Sequence, residues 1–169
     1  MKQIALISDS HGKLDNLAIK HLADVDEIWH AGDIGGLPVV DQIQQIAPLR
    51  AVYGNIDDHQ VRATTKEFQI FEVEGIKVVM THIGGYPKRY YKGIGPLLTK
   101  EKPNLFISGH SHILKVIPDT SKGLLHMNPG AIGKHGFHKI RTLLKFDIDN
   151  GEIKNLRVIE LGPRGKLVE

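Results

Sequence analysis

Cysteine is absent from all 169 residues, which excludes disulfides and thiolate metal sites. Any cation this chain holds must therefore be bound by oxygen and imidazole nitrogen. Long apolar runs are lacking as well: stretches such as residues 4–7 fall far short of the roughly 20 apolar residues a membrane helix needs. The first residues pass straight into a polar loop with no apolar core of a signal peptide, so a cytoplasmic location is expected. Charge of one sign is also scarce. The formal net charge is +3, and no basic stripe with interleaved aromatics accompanies the pI of about 9.0, so nucleic acid is not expected as a stable partner. What remains, 41% hydrophobic and 24% charged residues, is the balance of a soluble globular chain. At this length a single domain over residues 1–169 is expected, with no repeat or linker to divide it.

Hydrophobic patterning gives an outline of the fold. Residues 4–7 read as a buried strand ending in a polar loop, followed by a helix over residues 15–22. The same succession recurs as a strand at 27–30, a helix over 38–47 and a strand at 49–53. Residues 68–73 and 77–80 flank Glu74-Gly75 and read as a hairpin. A helix over 94–101 leads to a buried strand at 105–108. Beyond that strands dominate, with Asp149-Asn150-Gly151 as a hairpin turn between residues 143–148 and 153–159. The expected fold is α/β in the first half and β-rich in the second, around a common core.

Polar clusters recur at one kind of place, just after a hydrophobic strand: Asp9-Ser10-His11, Gly32-Asp33, Gly54-Asn55, Thr81-His82 and Gly109-His110-Ser111-His112. Strand ends are where open α/β sheets place their sites, so these clusters are expected to converge. Residues two apart point the same way, so Asp9 with His11 and His110 with His112 can each offer two ligands to one cavity. The glycines before Asp33, Asn55 and His110 permit close backbone approach. Carboxylate, amide oxygen and imidazole suit a borderline cation such as Mn²⁺, Fe²⁺ or Zn²⁺. Seven candidate ligands are too many for one such ion. Two ions sharing a carboxylate is the economical arrangement, and such pairs recur in phosphoester hydrolysis.

These blocks carry a family resemblance. Asp9-Ser10-His11, Gly32-Asp33, Gly54-Asn55-Ile56-Asp57, His82 and Gly109-His110-Ser111-His112 stand in the order of the five-block pattern of the calcineurin-like metallophosphoesterases. The chain resembles most closely that family's small prokaryotic phosphodiesterases, including a downstream Asn128-Pro129-Gly130 segment. The resemblance implies a four-layer α/β/β/α sandwich. It also implies that Asp9, His11, Asp33 and His112 hold one metal and Asp33, Asn55, His82 and His110 the other, Asp33 bridging. The implied cofactor is two divalent ions, Mn²⁺ foremost and Fe²⁺, Zn²⁺ or Ni²⁺ as alternatives. The implied reaction is in-line attack on a small phosphoester by a metal-bridging hydroxide. A scaffold without activity, as in a retromer subunit of the same fold with an impaired site, is the competing reading. A homo-oligomer is left open.

The chain departs from the pattern where many members have histidine after the asparagine: here Ile56 stands there. His59 is the nearby candidate to replace the missing acid, beside Asp33 and Asn55 in the expected catalytic set. Taken one at a time, Asp9, Asp33 and Asn55 could equally serve caps and turns, and it is their joint placement that argues for a site. His21, His30, His126, His135 and His138 read as surface or packing residues, and the segment 88–92, with Lys88, Arg89 and Lys92, as a solvated basic loop. Without a strong acid, diesters with acidic aryl leaving groups should turn over faster than alkyl diesters. Equal rates on the two, with chemistry limiting, would contradict this.

Overall fold

The structure, a computed structural model, describes residues 1–165. In chain order the elements are β1 (Lys2–Ile7), α1 (Asn16–Leu22), β2 (Glu27–His30), α2 (Leu37–Gln44), β3 (Leu49–Ala51), α3 (His59–Thr64), β4 (Phe68–Val73) and β5 (Ile76–Thr81). There follow β6 (Gly85–Tyr86), β7 (Arg89–Tyr90), α4 (Ile94–Glu101), β8 (Leu105–Ile107), β9 (Leu114–Asp119), β10 (Leu124–Pro129), β11 (Ile140–Asp149) and β12 (Glu152–Pro163). One five-stranded sheet has the order β12-β11-β1-β2-β3 and a second the order β4-β5-β8-β10-β9. None of the helices described is long and apolar enough to cross a membrane.

Alternation of side chains across the strands builds the layers. In β1, Ala5 and Ile7 face a cluster with Ala18 and Leu22 of α1 and Val39, Val40 and Ile43 of α2. Ile4 and Leu6, on the opposite face, pack with Val78, Met80, Leu105, Ile107 and Met127 of the second sheet. On that sheet's outer face, Val79 and Phe106 meet Ile94 and Leu98 of α4. Helices, sheet, sheet and helix thus stack as the expected α/β/β/α sandwich. The short apolar runs are explained by burial on both faces.

The helices begin where the sequence supplies a cap. Asp15 accepts the Ala18 N–H ahead of α1, and Asp58 accepts the Val61 N–H ahead of α3, each at 3.0 Å. Between β4 and β5, Glu74 and Gly75 both take left-handed backbone (φ 48° and 82°), the geometry of a tight hairpin turn. Asn150 and Gly151 do the same between β11 and β12.

Strand direction gathers the site. β1, β2 and β3 run parallel, as do β5, β8 and β10. The loops after β1, β2, β3, β5 and β8 carry the polar clusters. Antiparallel β11, paired directly to β1 with Lys2 opposite Ile148, ties the late strands into the first sheet.

Candidate metal centre

The backbone at the strand ends is bent to aim side chains inward. Asp9, His11, Asp33, His110 and His112 all have left-handed φ, between 47° and 70°. For non-glycine residues such conformations cost roughly 1–3 kcal/mol each and persist where the surroundings enforce them. Gly32 (φ 101°) lies where a side chain would overlap the His82 ring, and at Gly54 one would overlap the Asp33 carboxylate. Close approach is thus the reason for glycine at both positions.

The side chains form two groups, Asp9 with His11 and His112, and Asp33 with His82 and His110. Asp9 Oδ1 lies 3.1 Å from His112 Nε2 and 3.8 Å from His11 Nε2. Asp33 Oδ2 lies 3.2 Å from His82 Nε2 and 3.5 Å from His11 Nε2, so one oxygen faces both groups. Asn55 Oδ1 sits 3.1 Å from His82 Nε2 and 3.0 Å from His110 Nδ1. His82 Nδ1 donates to the Ala31 carbonyl at 2.7 Å, so in the neutral ring Nε2 carries a lone pair. That lone pair faces a carboxylate oxygen and an amide oxygen, an arrangement of acceptors that either a proton or a metal cation on Nε2 relieves.

Two buried atoms make the same point. Asp9 Oδ1 and His11 Nε2 have no hydrogen-bond partner among the described residues. Buried polar atoms are almost always satisfied, and unsatisfied ones cost about 1–3 kcal/mol. Both point into the first group, and the donor set, carboxylate, amide and imidazole, suits a borderline divalent ion. The residues present fit the metals the family pattern implies.

A second layer of residues fixes the loops. The Asp57 carboxylate accepts N–H bonds from Ile34 (3.1 Å), Gly35 (2.8 Å) and Gly54 (2.8 Å), joining the loops after β2 and β3. Asn128 Nδ2 donates to the Gly109 carbonyl (3.0 Å) and Ser111 Oγ (3.1 Å), bracing the segment that carries His110 and His112. Ser8 Oγ and the His110 N–H both donate to Asp9 Oδ2, leaving Oδ1 for the cluster. Ser10 is no nucleophile here: its hydroxyl donates to the Ile34 carbonyl and receives the His30 Nε2 proton, while His30 Nδ1 accepts from Gly32 N–H. His30 is fully buried, and that burial lowers its pKa to about 4. It is a packing residue, as expected.

Electrostatics favours ionised carboxylates at the cluster. Burial works against ionisation of Asp9, but the His11 and His112 imidazoles outweigh it and hold its carboxyl well below the usual range. Burial also opposes Asp33, and bonding to His82 overcomes it, so its pKa is lowered too. For His82, burial disfavours the cation, yet Asp33 and Asp9 prevail and its pKa is raised. His110 is lowered, by burial and by the charge of His82.

Every residue expected as a ligand therefore lies in the cluster; His11, Asp33, Asn55, His110 and His112 line a cavity of about 400 Å³, and His82 a neighbouring one of about 290 Å³. His59 does not join it: the first residue of α3, it is exposed and lines none of the cavities beside the cluster. The loop after β3 turns into α3 at Asp58, which directs His59 away. Three contributors escaped the sequence reading. Asp57 was visible only as the acidic position of a motif block. His135, stacked on His11 with centroids 4.7 Å apart, and His138, 3.2 Å from His112 Nδ1, come from a loop with no pattern of its own.

A cage of carboxylate, amide and imidazole acceptors at the carboxyl ends of two facing sheets defines the class, a metal-site domain of α/β/β/α architecture. The chain belongs to the calcineurin-like phosphoesterase superfamily, whose domain model matches residues 1–151. It is 29% identical over 163 residues to a protein of Mycoplasma pneumoniae named "Probable metallophosphoesterase", covering 92% of this chain and 96% of that one. A protein of Methanocaldococcus jannaschii with the same designation is 31% identical over 134 residues, 76% of this chain and 67% of that one. In fold it is similar to Vps29 of Entamoeba histolytica in complex with Zn²⁺, with a TM-score of 0.73, 15% identity, and coverage of 94% and 98%.

A metal at His82 Nε2 would have to displace a proton. Because the metal-free pKa of His82 is raised, its proton persists above the ordinary value of 6.5, and a metal binding there would release it. Asp9 and Asp33 are lowered and stay ionised throughout that range. Metal affinity should thus weaken as pH falls, starting above 6.5. Titrations from pH 8.5 to 5.5 check this, and an affinity constant down to pH 5.5 would contradict it.

Proposed function

We propose that this protein is a metal-dependent phosphodiesterase working through two divalent cations, Mn²⁺ or a similar borderline ion. The observation that carries this reading is the single oxygen, Asp33 Oδ2, within 3.5 Å of imidazole nitrogens from both groups. Asp9, His11, Asp33 and His112 would hold one ion, and Asp33, Asn55, His82 and His110 the other. When bound, the pair supplies a water of lowered pKa and positive charge opposite the phosphoryl oxygens.

The chain's own residues do the rest. With two dipositive ions and two aspartates, the site keeps net positive charge and draws in a phosphate. Ile56 N–H donates to Asp33 Oδ1, which holds that carboxylate with its other oxygen toward the cluster. Two cavities meet at Asn55. One, of about 400 Å³, has an apolar rim of Ile56, Ile113 and Phe137. The other, of about 290 Å³, is lined by Tyr53, Tyr91 and Lys92. A phosphodiester carries organic groups on both sides of phosphorus, so space on both flanks favours a diester over a monoester. With His59 directed away, the leaving group must depart with little help from an acid of this chain. The scaffold reading rests on fold likeness alone, and the full ligand set speaks for catalysis.

The test is hydrolysis of a bis-aryl phosphodiester and its monoester by chelator-stripped protein with and without Mn²⁺. Activity restored by Mn²⁺ and higher on the diester is expected. A doubly loaded protein with no rate above background, or one faster on the monoester, would contradict the proposal. Asp33→Asn should remove both metal equivalents and lower kcat by more than about 100-fold, beyond the usual cost of an outer-layer change. Retention of both metals would refute the shared ligand. His59→Ala should leave kcat within about twofold, a change ordinary for exposed residues away from the reaction.

A further inference from the structure

The ring contacts of the loop over residues 133–139 fall on one of the two groups, that of His11 and His112. His135 stacks on His11. Gly136, at φ 128°, passes so close to the His112 ring that a side chain there would overlap it. His138 places Nδ1 at 3.2 Å from His112 Nδ1 and Nε2 at 2.8 Å from the Gly133 carbonyl. Arg164 Nε donates to the His138 carbonyl at 3.1 Å, and the Arg164 N–H to that of Lys139 at 3.0 Å, which ties the far end of the loop to β12.

The proton positions along this chain are determined by its last member. A carbonyl oxygen only accepts, so His138 Nε2 must carry the hydrogen that it shares with Gly133. In a neutral ring the other nitrogen, His138 Nδ1, is then an acceptor. It can receive only from His112 Nδ1–H, which leaves the lone pair of His112 on Nε2. That atom is the one 3.1 Å from Asp9 Oδ1, facing the first group. Ligating histidines ordinarily have their tautomer set by a carboxylate or carbonyl on the distal nitrogen. Here a second imidazole stands between ligand and carbonyl.

We infer that His138 is a positioning residue that, through a Gly133–His138–His112 relay, fixes the tautomer and ring orientation of His112 for one cation site and not the other. The inference rests on the two-cation reading above. The Asp33, His82 and His110 group has its own anchor in the His82 bond to Ala31, and among the described residues no hydrogen bond or ring stack from the loop reaches it. Removing the relay should therefore weaken one of the two affinities and leave the other as it is.

The test is calorimetric Mn²⁺ titration of the full chain, comparing wild type with His138→Phe, which fills the space without an acceptor, and His138→Asn, which places a carbonyl oxygen near the former Nδ1. In His138→Phe, one equivalent should weaken by roughly 10–100-fold while the other is unchanged, and His138→Asn should recover most of the loss. On the Zn²⁺-loaded protein, imidazole ¹⁵N NMR should show His112 protonated at Nδ1 in wild type. Loss of general packing would affect both equivalents and would not be rescued by asparagine. His138→Ala gives the same comparison should phenylalanine disturb the fold. Two equivalents of unchanged affinity in the phenylalanine variant would overturn the relay with the metal reading intact. A wild type that binds fewer than two equivalents would overturn the reading on which the relay depends.

Discussion

Acceptors that face acceptors govern this structure. Asp9 Oδ1, Asp33 Oδ2, Asn55 Oδ1 and the Nε2 atoms of His11, His82 and His112 are gathered within a few ångströms of one another, with only imidazole protons to come between them in the metal-free chain. In the absence of positive charge their lone pairs repel, and burial deepens the penalty because little water can intervene. The fold supports the arrangement at considerable cost. Five residues are held in left-handed backbone, glycines stand wherever a side chain would obstruct a ligand, and Asp57 and Asn128 brace the loops from behind. Stabilisation comes instead from three apolar layers, so the site can be strained without endangering the fold.

The two sheets have different tasks in this economy. The first, through β1, β2 and β3, supplies both aspartates, His11 and Asn55. The second, through β5 and β8, supplies the three remaining imidazoles. Neither sheet alone completes a group, because Asp9 needs His112 and Asp33 needs His82 and His110. The apolar interface of Ile4, Leu6, Trp29, Met80 and Ile107 is therefore also what sets distances in the cluster. A shift of one sheet against the other would separate carboxylates from imidazoles.

Much of this was legible in the sequence because its signals are local. Apolar runs such as residues 4–7 announce strands buried on both faces, and a polar cluster directly after each announces a site at the strand end. Glu74-Gly75 and Asn150-Gly151 reveal their turns through residues that tolerate left-handed backbone. The limits were equally physical. That β11 returns to pair with β1 depends on contacts across more than a hundred residues, which no short pattern encodes. The short helix α3 was missed, although Asp58 caps it, and with it the direction of His59. His138 gave no signal because its role is set by where a loop lands against His112, 26 positions away.

The most direct examination of the central claim is anomalous diffraction from crystals of the protein equilibrated with Mn²⁺. Two anomalous peaks roughly 3.5–4 Å apart, one on each side of Asp33 Oδ2, are the expected result. A single peak, or metal bound elsewhere on the surface while Asp9 Oδ1 and His11 Nε2 stay without a partner, would contradict it.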